Sequence, residues 1–123
     1  MRAVVCEGLA PDYSRIALTD LPLPEPGEGE VRVRVEAASL NFPDLLMLKG
    51  DYQFDAVGPG VAMHAGQRIA GGAKTGAFAD YAICPAASLH PVPEAMSASH
   101  AAAYPAAYTT AYVSLVERAQ LQS

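Results

Sequence analysis

The chain has 123 residues, 51% hydrophobic and 17% charged, the balance of one small globular domain and not of a disordered segment. A net charge of -5 and a pI near 5.0 argue against a nucleic-acid partner, because phosphate binding needs a basic face. No apolar run reaches bilayer length and residues 1–7 lack a signal-peptide profile, so no membrane partner and a cytoplasmic location are expected.

Taken in order, residues 1–6 and 16–19 read as two strands joined by a turn over residues 8–14. Residues 21–27 hold three prolines, which lack ladder donors, and are expected to be an extended connector. Residues 30–37 alternate clearly: Val31, Val33 and Val35 share one face, while Arg32, Arg34 and Glu36 share the other. The two arginines are read as a solvated face. A polar turn with an uncharged amide, Asn41, follows, and Asp44 is expected to cap a short helix over residues 45–49. Beyond it, Gly50 and Asp51 lead to Tyr52.

Residues 68–70 and 78–84 read as further strands, broken by Gly71, Gly72 and Gly76. Short strands separated by glycine and proline predict a small, partly closed barrel. After Pro93 the pattern turns helical. Ser97 is the expected N-cap of a helix over residues 98–103 that Pro105 halts. A second helix over residues 106–120 is expected to present Ala107, Tyr108, Ala111, Tyr112, Leu115, Val116 and Ala119 on one face.

Cys6 and Cys84 lie far apart and are expected to be buried free thiols. His64, His90 and His100 stand in unrelated contexts without ligand spacing, so surface or packing roles are expected for each. Ser39 and Ser97 have no neighbouring base, which makes a serine nucleophile a poor reading.

The run from Ala38 to Asp44, followed by Lys49, Gly50, Asp51 and Tyr52, resembles the substrate-side loop of the medium-chain dehydrogenase/reductase superfamily. The zinc-independent quinone and enoyl reductase branch is the nearest likeness. Residues 55–61 and 65–71 look like its strand, turn and "G-D-R-V" strand, with Gln67 in place of the usual aspartate. Residues 76–82 resemble its "G-x-[FY]-A-E-Y" strand, and residues 101–113 the helix that leads to its cofactor domain. Each motif is weak alone, but their order and spacing cover nearly the whole chain.

The resemblance implies a mainly β fold with C-terminal helices: a chaperonin-10-like, partly open β-barrel over residues 1–95, then helices over residues 96–123. The doubly wound cofactor domain is expected to be absent from this chain, whose glycines form no strand-to-helix phosphate turn. Between Phe54 and Asp55 the family carries about 15–20 further residues, including most of a strand. Their loss would open a barrel edge, so a gap at this junction, through disorder, excision or engineering, is the expected explanation.

The resemblance further implies an NADPH-dependent reductase of quinones or α,β-unsaturated carbonyl compounds, with a homodimer among the expectations for the full-length protein. Asn41 occupies the position of a ligand cysteine in the zinc-dependent members, so no metal is expected. Asn41 would orient the acceptor or touch the cofactor, Tyr52 would donate a proton, and Thr110 would touch the nicotinamide end of NADPH. Each has a blander reading: an Asx turn for Asn41, packing for Tyr52, and a bond to the preceding helical turn for Thr110. A function of another class is also open, a stand-alone chaperonin-10-like binding or assembly module.

Overall fold

Five-residue antiparallel pairs make up most of the β structure. In the computed structural model, which describes residues 1–10, 12–49, 66–71 and 76–122, strand β1 (Arg2–Cys6) pairs with β2 (Ile16–Asp20). The ends of this pair are closed by Met1 and Leu21. The Met1 backbone nitrogen donates to the Leu21 carbonyl at 2.7 Å, and the Leu21 N–H returns a bond to the Met1 carbonyl at 2.8 Å. The expected extended connector follows over residues 21–27.

A tight turn at Gly27 and Gly29 then aims the chain into β3 (Glu30–Arg34), with the Glu30 N–H bonded to the Gly27 carbonyl. Gly29 has φ +74, a conformation that a Cβ would strain. Strand β3 stops three residues short of the expected end at Ala37, although Val35 still donates to the Asp80 carbonyl at 3.0 Å. Helix α1 (Phe42–Lys49) begins earlier than expected, with Pro43 in its first turn, where a proline loses no helical hydrogen bond. Asp44 therefore lies inside the helix and not ahead of it. Its carboxylate still caps, by accepting the Asn41 N–H at 2.6 Å.

Strand β4 (Ile69–Gly71) pairs with β6 (Leu89–Pro91), and β5 (Tyr81–Pro85) pairs with β3. The expected strand over residues 78–84 is thus cut short. Residues 78–80 serve β1, where Val4 donates to the Phe78 carbonyl at 2.8 Å and Asp80 to the Arg2 carbonyl at 2.9 Å, while the Asp80 carbonyl still accepts from Val35. A single bridge joins Ala3 to Ala79. Between β5 and β6 lies a short helical turn, Ala86–Ser88. The result, among the described residues, is three two-stranded sheets.

The core sits between β3, β5 and β6. Register places Val31 opposite Cys84 and Val33 opposite Ala82, so the valine face of β3 meets the buried residues of β5. Leu89 is 2% exposed, and Ile69 and Val35 pack on the same cluster. Gly71 faces Leu89 across the β4–β6 pair, and a Cβ there would stand 2.1 Å from the Ser88 carbonyl oxygen. Only glycine fits.

Ser97 caps α2 (Ala98–Tyr112), accepting the His100 N–H at 3.2 Å, as its sequence position requires. The proline does not halt this helix. Pro105 sits inside it, and the chain continues through a wider π-helical turn, Val113–Arg118, so one continuous C-terminal helix replaces the expected two. The physical reason lies in which stripe faces inward. Ala98, Ala101, Ala102, Pro105 and Ala106 recur at helical spacing and face β3 and β4, with Ala101 buried. Proline already has a helical φ, and a stripe of small side chains lets the helix lie close to the strands.

The aromatic stripe chosen from the sequence is exposed: Tyr108 is 64% accessible and Tyr112 58%. Tyr104 stacks on Tyr108 with ring centroids 4.9 Å apart. Among the described residues no helix is long and apolar enough to cross a membrane.

Candidate functional site

The connection between β3 and α1 carries the candidate loop, and its geometry is set by hydrogen bonds within seven residues. The Asn41 N–H donates to the Asp44 carboxylate and the Asp44 N–H to the Asn41 carbonyl at 3.0 Å, which pins the loop to the first turn of α1. With its backbone fixed, the Asn41 side chain turns backward. Its Nδ2 donates to the Ser39 hydroxyl at 3.0 Å and, at 3.4 Å, to the Ser39 carbonyl. An Asx turn toward Pro43 is therefore not the arrangement seen.

Because Ser39 Oγ accepts from the amide, its own proton points elsewhere and is available to another acceptor. Ser39 carries no role in the sequence reading beyond a rejected nucleophile, and a serine two positions before an asparagine is too common a pattern to flag. Both side chains line a cavity of about 860 Å³ bounded by β3, β4, α2 and the loop. Its lining mixes polar residues, Glu36, Ser39, Asn41 and Asp44 among them, with apolar ones such as Val33 and Ala101.

Thr110 does not join them. Its hydroxyl donates to the Ala106 carbonyl at 2.7 Å, one helical turn back, on an exposed part of α2. That is the blander reading of Thr110, and it leaves the oxygen free only as an acceptor. Tyr52 lies outside the described residues, as do His64 and the junction of Phe54 with Asp55. Of the three candidates, then, the described structure places Asn41 at a cavity and Thr110 away from it.

Other expectations divide. His90 and His100 are exposed, as surface roles require. Cys84 is a buried free thiol, but Cys6 is exposed and not buried, because it ends β1 where the ladder stops covering the strand. Burial pushes the Cys84 thiol above its ordinary value, and the charge of Glu30 adds to that. Arg32 and Arg34 pair at the surface with Glu25 at 3.2 Å and Glu36 at 2.9 Å, the solvated face expected of them. Among the described residues no group of three metal-ligating side chains converges.

One positioning residue was invisible in the sequence. The Arg68 guanidinium donates to the carbonyls of Pro93, Glu94 and Met96, at 3.4, 3.3 and 2.9 Å, immediately before the cap of α2. It fastens the start of that helix to the start of β4. The partners lie about 25 positions away and are backbone atoms, so no side-chain pattern announces them.

No family model matches the chain. The human synaptic vesicle membrane protein VAT-1 homolog-like is 32% identical over 139 residues, covering 99% of this chain and 33% of that protein. Its crystal structure superimposes with a TM-score of 0.85 at 31% identity, over all of this chain and 45% of the other. A quinone oxidoreductase from Thermus thermophilus, solved also in complex with NADPH, superimposes with a TM-score of 0.81 at 39% identity. That match covers 98% of this chain and 41% of the Thermus protein.

The chain belongs to the medium-chain dehydrogenase/reductase superfamily. Its β-rich fold with one C-terminal helix matches the N-terminal domains of the superfamily. The chain spans about a third of the curated relative it matches and under half of each of these solved neighbours.

Proposed function

We propose that this chain is the substrate-side domain of an NADPH-dependent, zinc-independent reductase of quinones or α,β-unsaturated carbonyl compounds. Residues 1–95 form a partly open barrel that carries the substrate wall, and residues 96–123 lead to a dinucleotide-binding domain. The observation that carries the reading is Asn41, an uncharged amide fixed on a hydrogen-bonded loop in the lining of a cavity, in a chain similar to an oxidoreductase solved with NADPH.

The residues present fit one end of that cofactor and not the other. The described connections from strand to helix, residues 35–41 and 92–97, contain no glycine, so they present no turn for a pyrophosphate. The Asn41 amide and the Ser39 hydroxyl in the cavity lining suit an uncharged carboxamide or a carbonyl. When bound, the nicotinamide supplies a hydride.

Asn41 and Ser39 orient the acceptor oxygen and donate hydrogen bonds as negative charge develops on it, without themselves titrating. Asn41 stands where a metal ligand would be needed, and an amide is no substitute for a thiolate at zinc. Tyr52 supplies the proton, and Thr110, which lies outside the cavity with its hydroxyl bonded to Ala106, would meet only a cofactor that also runs along the outer side of α2.

The test is NADPH oxidation by this chain joined to a doubly wound cofactor domain, with a quinone and an enone as acceptors. Tyr52→Phe should lower kcat and kcat/KM alike, by about 10²–10⁴-fold for the enone and less for the quinone, whose reduced form takes protons from water. A loss under about threefold for both acceptors would remove Tyr52 from the mechanism. No turnover of either acceptor in the unsubstituted protein would remove the reading itself.

A further inference from the structure

Helix α1 is too short to hold its own place. Eight residues span about 12 Å, and an isolated helix of that length is marginal in water, so α1 depends on what holds its ends. The first end is held locally, by the reciprocal bonds between Asn41 and Asp44. The second is held from far away in the chain, by the turn that joins β1 to β2. There the Ala10 N–H donates to the Leu48 carbonyl at 3.3 Å, satisfying one of the last carbonyls that a helix leaves open. Beside it the Lys49 ammonium lies over the Tyr13 ring, 5.4 Å from the centroid.

Hydrogen bonds within the turn present that ring. The Tyr13 N–H donates to the Ala10 carbonyl at 3.1 Å, and the Asp12 carboxylate accepts the N–H and the hydroxyl of Ser14, at 3.2 and 2.8 Å. Between these bonds Tyr13 stands at φ +59, a left-handed conformation that glycine adopts freely and that strains a residue with a side chain. Strain of this kind persists where the surrounding structure over-determines it. What tyrosine supplies here and glycine lacks is the half-buried ring under Lys49. We propose that Tyr13 is a positioning residue, acting through Lys49 and α1 on the Asn41 amide. The turn fixes the last residue of α1, and a helix this short moves as one body, so the loop bonded to its first turn follows. The consequence for turnover rests on the reading of Asn41 as the group that orients the acceptor. The consequence for α1 does not.

The experiment measures amide hydrogen exchange on the purified chain over residues 46–49, whose N–H groups carry the bonds of the helix. Exchange should quicken about two- to fivefold in Tyr13→Gly and in Lys49→Met, the size of an exposed cation–π contact. The double variant should go no further than either one, since both remove the same contact. Tyr13→Phe and Lys49→Arg keep a ring and a cation and should match the parent. The Asn41 side-chain amide resonance should shift in the first pair of variants and return in the second. Lys49→Met alters an exposed side chain and serves if Tyr13→Gly loses its fold. In the chain joined to a cofactor domain, Tyr13→Gly should lower kcat about two- to fivefold with KM for the acceptor unchanged, and Tyr13→Phe should keep both.

Unchanged exchange in Tyr13→Gly and Lys49→Met would overturn the proposal, as would effects of the two that simply add. So would equal effects of Tyr13→Phe and Tyr13→Gly, or a quickened α1 with the Asn41 resonance unmoved. No turnover by the unsubstituted joined protein would instead remove the reading of Asn41, while the exchange and resonance results still decide the role of Tyr13.

Discussion

The β1–β2 and β3–β5 pairs have the same length and the same antiparallel ladder, yet they are held in the molecule by different forces. In β3–β5 the inward face is covered: Val31 and Val33 rest on Cys84 and Ala82, with Leu89 behind them. In β1–β2 only Ala3 is buried, while Val4 is 50% exposed and Leu18 70%. That hairpin is closed on itself by Met1 and Leu21 and fastened to the rest of the chain by backbone bonds to residues 78–80. Hydrogen bonds fix its position, but apolar burial, the larger source of stability, is concentrated in the other pair. Equal secondary structure does not mean equal stability.

The sharpest way to break this comparison is to shorten one leucine in each half. Leu89→Ala should cost about 2–5 kcal/mol, because it empties the best-buried side chain of the cluster. Leu18→Ala, at an exposed site, should stay within about 0.5 kcal/mol of the parent. Urea denaturation of both variants measures the difference. Equal losses would mean that the hairpin face is covered in solution.

Glycines sharpen it next. Gly71→Ala drives a Cβ into the Ser88 carbonyl oxygen behind Leu89 and should cost about 1–3 kcal/mol as the β4–β6 pair opens. Gly29→Ala meets no atom within 4 Å and should cost only the strain of its positive φ, about 1 kcal/mol. Thermal unfolding of the two variants should rank them in that order. The reverse order would show that the β4–β6 pair yields easily.

The smallest effect is in the pH dependence. Burial raises the Cys84 thiol above the ordinary 9.0, so the folded state keeps a proton there that the unfolded chain gives up. Stability from this group is complete below pH 9.0 and declines as pH rises from there through the higher folded value. Cys84→Ala should flatten that alkaline decline relative to the parent, whereas Cys6→Ala, at an exposed thiol, should leave it unchanged. Chemical denaturation between neutral pH and the alkaline limit reads both slopes.

The sequence by itself determined whatever depends on neighbours within a turn or a pleat. The alternation of Val31, Val33 and Val35 fixed the buried face of β3, Ser97 fixed the start of α2, and the prolines before Gly27 fixed an extended connector. The loop holding Asn41 was legible for the same reason, since it follows directly from a strand end. Tertiary structure decided everything that needed a distant partner.

It turned the alanine and proline stripe of α2 inward and left the tyrosines outside, because closeness to β4 selects small side chains over apolar ones. It turned residues 78–80 to the edge of β1 while Asp80 kept its bond to Val35, which the pattern of a single strand cannot express. It aimed the Asn41 amide at Ser39 and the Arg68 guanidinium at three carbonyls, since a side chain's direction follows from the groups that fold around it. A local pattern specifies a face, but only the packed chain specifies what that face meets.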